Sequence, residues 1–432
     1  MIAYTGEMKP VVKSLCIAVL LTLGLQSGFA HAQHAPDVKK GADDSAIPVE
    51  EIQRFVQVYQ AIKQAYVEPV DDKELMQSAV RGLVRSLDPH SVYFDRDAAD
   101  TFDERSRGNY SGIGVEVQTE DDGTIRIIAP IDGSPAKAAG IRPGDLVIAI
   151  DGQLLTDRKD DAEVDMRGPE GTEVALTIVR KGVKDPIKLK VKRETIRIAS
   201  VRSRMLEPGY GYVRISSFQA DTANDFERSI KDLTVKGKFK GLVIDLRSNP
   251  GGLLNTAVQI ADDLLESGRI VSTRGRLARN DISFDATPGD LTQGAKVVVL
   301  VDVGSASASE VLAGALKDHK RAQIVGSRTF GKGSVQAVMP LANGDSVKLT
   351  TARYFTPNGA SIQALGIAPD IQFRAKAANI VSGEPGYSEV TLPGHIGATA
   401  RHSEDPEKIV AGDILEGETY ITQALDVLKA TP

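Results

Sequence analysis

Two short runs constrain the architecture more than any other part of the chain. Residues 241–246 (GLVIDL) and 297–301 (VVVLV) are apolar with almost no alternation, the pattern of strands covered on both faces. The first passes through RSNPGG (247–252) into an apolar helical stretch, 253–265. The second leads through GSASASE (304–310) into the helical spacing of Val311, Leu312 and Leu316. Strand, small-residue turn and helix, repeated, predict an α/β core. They put two turns at the ends of successive strands, as neighbours sharing one site. A short strand at 322–325 and a turn, TFGKG (329–333), follow.

These turns carry the chemistry. Ser305, Ser307 and Ser309 alternate with alanines just before a helix, where unpaired N–H groups favour a developing negative charge. A serine hydroxyl is a weak nucleophile and needs a base. Lys332 can serve only if burial or a nearby cation favours its neutral form, since free lysine titrates near ~10.4. The same residues also fit a plain helix cap with close packing and a solvated lysine. His319 reads as a residue of the helix C-terminus.

The 432 residues leave room for more than one domain, and 52 basic residues stand against 58 acidic ones without a long single-sign block. That balance excludes nucleic acid as the expected partner. Lys9 and Lys13, an apolar run at 15–25 and Ala30-His31-Ala32 read as a secretory signal over 1–32, with Met8 as an alternative start. Cys16, the one cysteine, falls inside it. Residues 33–48 read as a polar linker. Ile52, Phe55, Val56, Tyr59, Ile62 and Tyr66 predict one amphipathic helix. Leu75, Met76, Ala79, Val80, Leu83 and Leu87 predict a second, ending before Asp88-Pro89-His90-Ser91.

Residues 108–194 alternate in short runs between Gly, Asp and Pro turns, a compact β-rich module with a brief helix at 134–140. Further strands are expected at 211–215 and 349–355, and a helix at 222–234. Residues 269–294 read as a polar loop over the cleft, and 418–428 as a short amphipathic helix. The six histidines are scattered without ligand spacing, so no metal or cofactor is expected.

SASASE, TFGKG and DLRSNPGG (245–252) together resemble the C-terminal processing peptidases, or tail-specific proteases, serine endopeptidases with a Ser/Lys dyad. LDPHS (87–91), TTARYF (350–355) and GIAPD (366–370) match in the same linear order, so the resemblance covers about 49–372. It implies a crotonase/ClpP-like peptidase core over 195–372, an N-terminal helical region over 49–107 and a C-terminal region, 373–432, packing on the core or a partner. Ser307 would be the nucleophile, Lys332 the base and Gln336 the residue holding the lysine. The Gly251 or Gly252 backbone would help form the oxyanion hole, with Asp245 and Arg247 bracing the turn. His90 would be structural.

The string SPAKAAGIRPGDL (134–146) is similar to a PDZ signature. By position Gly112, Ile113, Gly114 and Val115 match the loop that captures a peptide carboxylate, with a residue near Val164 lining the pocket. The resemblance further implies a periplasmic enzyme without cofactor, acting on proteins with apolar C-termini. It would be a homo-oligomer, with an adaptor in some relatives, and membrane-associated only through an uncleaved signal. Two alternatives are a non-catalytic PDZ scaffold binding C-terminal peptides and a crotonase-like enzyme acting on a small acyl substrate.

Overall fold

The structure, a computed structural model, describes residues 48–120, 122–157, 166–235, 237–375, 388–398 and 411–430. The signal reading of 1–32 with Cys16, nearly all of the linker, and Val164 lie outside the described residues. The chain divides at Val70 into two units. In the first, the helix Val49–Ala65 carries the predicted stripe, and none of its residues is buried.

The second unit, Asp71–Pro432, is organised by a six-stranded sheet. Its order is Val201–Glu207, Tyr210–Ile215, Gly241–Asp245, Lys296–Val301, Ala322–Gly326, Ile371–Gln372; only the first pair is antiparallel. Side chains of one strand point to alternate faces. Val213, Leu242, Ile244, Val297, Val299 and Ile324 therefore join one core with the helices Thr222–Thr234, Leu254–Asp262 and Ala308–Asp318. Tyr212, Val243, Val298, Leu300 and Val325 point the other way. The helix Glu418–Ala430 covers them with Tyr420, Ile421, Ala424, Leu425 and Leu428. Burying each of those larger apolar side chains is worth roughly 1.5–3 kcal/mol, which fastens the C-terminal helix to the far face. The absence of polar/apolar alternation thus has a direct cause: both faces are covered.

A second sheet lies beside the first. Its longest strand, Ser346–Phe355, is flanked by Ser334–Pro340, Val92–Phe94 and Gly268–Gly275, with Ser283–Ala286 beyond. The expected polar loop at 269–294 is therefore largely a β-hairpin. Ile270 and Val271 anchor it in the core, and Ser272 and Thr273 beside them are buried as well. A helix not expected from the sequence, Arg96–Arg107, has no apolar stripe. Its ends hold it: Asp95 accepts from the Ala98 N–H, and Gly108 closes it at φ 78°.

The β-rich module has its own core around Ile113, Ile125, Ile127, Val147, Leu176 and Ile178. Its sheet runs Val115–Thr119, Ile125–Pro130, Leu146–Ile150, Glu173–Val179, Ile187–Lys192, which leaves Val115–Thr119 as an edge strand. The entering and leaving segments, Asn109–Gly112 and Glu194–Arg197, pair antiparallel and close the module.

Candidate active site

The strands Gly241–Asp245 and Lys296–Val301 are neighbours in the parallel sheet, so their two turns meet at its C-terminal end. Polar contacts stitch them together. Ala306 N–H and Ser309 Oγ both donate to Asn249 O, at 3.0 and 2.9 Å. Ser305 Oγ donates to Leu246 O at 2.8 Å. Asn249 is fully buried; its amide donates to Ile215 O at 2.9 Å, and its Oδ1 accepts from the Gly251 N–H at 2.9 Å.

These bonds separate three serines that the sequence leaves equivalent. Ser305 and Ser309 spend their hydroxyls on the backbone of the facing turn. Ser307 Oγ donates to no acceptor among the described residues; its side chain faces the Glu310 N–H in a capping box. It sits at the N-cap of Ala308–Asp318 with φ 56°, a conformation costly for a residue with a Cβ. Such strain is held by surrounding structure. The Glu310 carboxylate accepts the Ser307 N–H at 2.8 Å, and Gly251 lies so close that a Cβ there would stand 2.9 Å from Ser307 Cβ.

Glu310 is fully buried and also accepts from Thr329 Oγ1 (2.6 Å), Gly331 N–H (2.7 Å) and Lys332 N–H (2.9 Å). It thus ties the serine loop to the TFGKG turn. Burial pushes its carboxyl up to about 7 against those bonds. Lys332 is partly buried; desolvation, then the Lys348 ammonium, hold its pKa below the ordinary lysine value, while Glu389, Glu310 and Asp88 oppose them. Lys332 Nζ and Ser307 Oγ are not hydrogen-bonded to each other. Catalytic contacts are often long before substrate binds.

Gln336 donates to Ser334 Oγ (2.9 Å) and Thr350 Oγ1 (3.1 Å) rather than to Lys332. Thr350 Oγ1 donates in turn to Asp88 (3.1 Å), which also takes the N–H groups of His90 and Ser91. LDPHS is thereby joined to the strand that follows the lysine.

Of the two glycines, Gly251 has its N–H occupied by Asn249, whereas Gly252 and Ala308 have N–H groups without an acceptor among the described residues. Ala308 N lies 3.0 Å from where a Gly251 Cβ would be, so the free donors flank Ser307. Asp245 accepts from Tyr212 (2.9 Å) and from Arg247 Nη2 (2.6 Å); Arg247 Nη1 donates to Leu415 O (2.7 Å) and Gly417 O (3.1 Å). Sequence reasoning pointed to N–H groups of the 304–309 loop, where Ala308 lies, but missed Asn249 and the clamp made by Glu310. The Ser307-x-x-Glu310 spacing of a capping box was the available signal for the last.

Gly112, Ile113 and Gly114 are buried at the entry to the β-rich module. Ile113 O accepts from Ala136 N–H at 2.9 Å, and Gly114 O from Ile131 N–H and Ser134 Oγ, each at 3.0 Å. Val115 begins the edge strand.

Peptidase family S41 matches residues 209–373, an activating protease CtpB N-terminal domain matches 21–98, and a PDZ domain matches 126–180. The carboxy-terminal-processing protease of Bartonella bacilliformis is 42% identical over 351 residues, 80% of each chain. The chain belongs to the carboxy-terminal processing proteases of family S41. Among other members, CtpA of Bacillus subtilis is 37% identical over 73% of this chain and 67% of its own. A solved photosystem II D1 C-terminal processing protease shares 30% identity over 75% of this chain and 87% of its own, with a TM-score of 0.44. As a member of these carboxy-terminal processing proteases, the chain is a serine endopeptidase with a β-rich PDZ insertion in a mixed α/β fold.

Proposed function

We propose that the protein is an exported peptidase that cleaves polypeptides recruited by their C-terminal tails, with Ser307 as nucleophile and Lys332 as general base. One observation carries this reading: among the described residues Ser307 alone of the three loop serines donates its hydroxyl to no acceptor, and the Gly252 and Ala308 N–H groups beside it have none either. Neutral Lys332 takes the Ser307 Oγ proton as Oγ attacks the scissile carbonyl. Gly252 and Ala308 N–H receive the oxyanion, and Gly251 contributes the close approach that only a missing side chain allows. The lysine ammonium then protonates the leaving amine as the C–N bond breaks. A water, deprotonated by Lys332, hydrolyses the ester. Gln336 acts through Thr350 and Ser334 on the strand behind the lysine. Asp245 and Arg247 hold the oxyanion turn.

The core over 195–372, with helices on both faces of its sheet, supports a crotonase/ClpP-like reading. The PDZ module over 108–194 recruits an apolar C-terminus by strand addition along Val115–Thr119, with Gly112, Ile113 and Gly114 at the carboxylate end. The signal reading of 1–32 supports a periplasmic location. Among the described residues no helix is long and apolar enough to cross a membrane. The apolar stripe of Val49–Ala65 and, separately, the exposed Leu83 and Leu87 support a homo-oligomer.

The test is digestion of an unstructured protein ending in an apolar tail, beside the same protein with a charged tail. Wild type is expected to cleave the first faster, and Ser307→Ala and Lys332→Ala neither. Equal cleavage by all three would exclude the dyad; equal rates on both tails would exclude recruitment by the PDZ module.

A further inference from the structure

One buried carboxylate beside the site has no part in the reaction above. Glu389 lies in the segment 388–398 and is fully buried. One oxygen stands 2.8 Å from His90 Nε2, and the other accepts from Gln363 Nε2 at 2.8 Å. Gln363, also fully buried, presents its own Oε1 to the Gly333 N–H at 3.0 Å. The Glu389 N–H donates to Phe330 O at 3.1 Å. Segment 388–398 thus holds the TFGKG turn on both sides of Lys332, directly at residue 330 and through Gln363 at residue 333. The fit is tight, since a Cβ on Gly333 would stand 2.2 Å from Gln363 N.

A buried carboxylate is expensive in free energy, and an apolar residue of similar size often serves stability equally well. Here both oxygens are matched, and the partners come from opposite ends of the chain. We propose that Glu389 is a positioning residue for the general base, fixing the backbone around Lys332, linking it to His90 and keeping one negative charge near Nζ. This rests on the Ser307/Lys332 reading. The charged groups facing Lys332 are Lys348 from the strand Ser346–Phe355, Glu310 from the helix Ala308–Asp318, Asp88 from the LDPHS turn, and Glu389 with His90 on its far side. Among the carboxylates that oppose desolvation there, Glu389 is the strongest.

Charge and position separate experimentally. Glu389→Gln keeps a hydrogen-bonding amide but removes the charge. The neutral lysine becomes easier to form, so the acid limb of the kcat/KM–pH profile moves to lower pH. Gln363→Leu leaves Glu389 in place but cuts the link to Gly333 together with one of the Glu389 hydrogen bonds. Its kcat is expected to fall about tenfold with KM unmoved, as for a lost transition-state interaction. Profiles would be recorded for full-length wild type and both variants, with melting temperatures at each pH. An acid limb left in place in Glu389→Gln, or failure of that variant to fold, assigns Glu389 to stability alone and overturns the proposal. Cleavage by Ser307→Ala or Lys332→Ala would instead overturn the dyad, whatever Glu389→Gln does.

Discussion

Glu310 takes the backbone N–H of Ser307, three residues earlier, at 2.8 Å, and with the same oxygen the N–H of Lys332 at 2.9 Å. The proposed nucleophile and base are therefore registered through one carboxylate, each of whose oxygens accepts two bonds. An amide offers only one such oxygen. Glu310→Gln is expected to turn an NH2 group against two donors and lower kcat by ~100-fold, as leaving buried donors unmatched costs about 1–3 kcal/mol each. Steady-state kinetics and thermal melting check it; a variant with wild-type kcat would show that this registration is dispensable.

The same carboxyl makes stability pH-dependent. Burial raises it to about 7 from an ordinary 4.5, so the folded chain binds this proton more tightly than the unfolded chain. The resulting stabilisation is complete below about 4.5 and is lost as the pH rises through about 7. Glu310→Gln is expected to flatten that part of the stability–pH curve. Urea titrations across the window would reveal an unchanged slope if the assignment were wrong.

As the proposed base, Lys332 is expected to set the activity profile. Desolvation and Lys348 lower its pKa, so kcat/KM is expected to rise with pH at a midpoint below the ordinary lysine value of 10.5. Arginine keeps the charge but cannot lose its proton, so Lys332→Arg should be at least ~1000-fold slower at every pH. An active arginine variant would remove Lys332 from the role of base.

The two turn glycines should fail differently. A Cβ on Gly252 would lie 2.1 Å from Phe218 O at φ 141°, so Gly252→Ala is expected to unfold the turn and lower the melting temperature. On Gly251 the conflict is with Ala306 O and Ser307 Cβ, at 2.8 and 2.9 Å, so Gly251→Ala should lose activity with a smaller loss of stability. Melting curves beside kcat separate the two outcomes.

What the sequence made legible was local. The runs at 241–246 and 297–301 announced buried parallel strands because both faces are covered, and the stripe at 418–428 announced the helix on the far face. The motifs placed Ser307 and Lys332 in one short stretch, and the structure brings their loops together through Glu310. Helix Arg96–Arg107 was not legible because caps, not a stripe, hold it. The hairpin at 268–286 was not, because its apolar residues are few and its partner strand is Ser346–Phe355, far along the chain. Glu389 was invisible for the same reason: nothing local marks a glutamate that meets His90 and Gln363 only after folding.

Arg247 joins its own turn, 247–252, to the segment leading into the last helix, through Leu415 O and Gly417 O. Lysine cannot span these carbonyls and Asp245 at once. Arg247→Lys is expected to free residues 411–417 to added protease first and to lower kcat by tenfold or more. Unchanged proteolysis would mean that the helix holds without this tether.

The most direct test of the central claim is covalent labelling of the full-length protein with a fluorophosphonate, followed by peptide mass mapping. One adduct is expected, on Ser307, absent in Ser307→Ala and formed much more slowly in Lys332→Ala. An adduct on Ser305 or Ser309, or labelling of Ser307 at the wild-type rate without Lys332, would contradict the account.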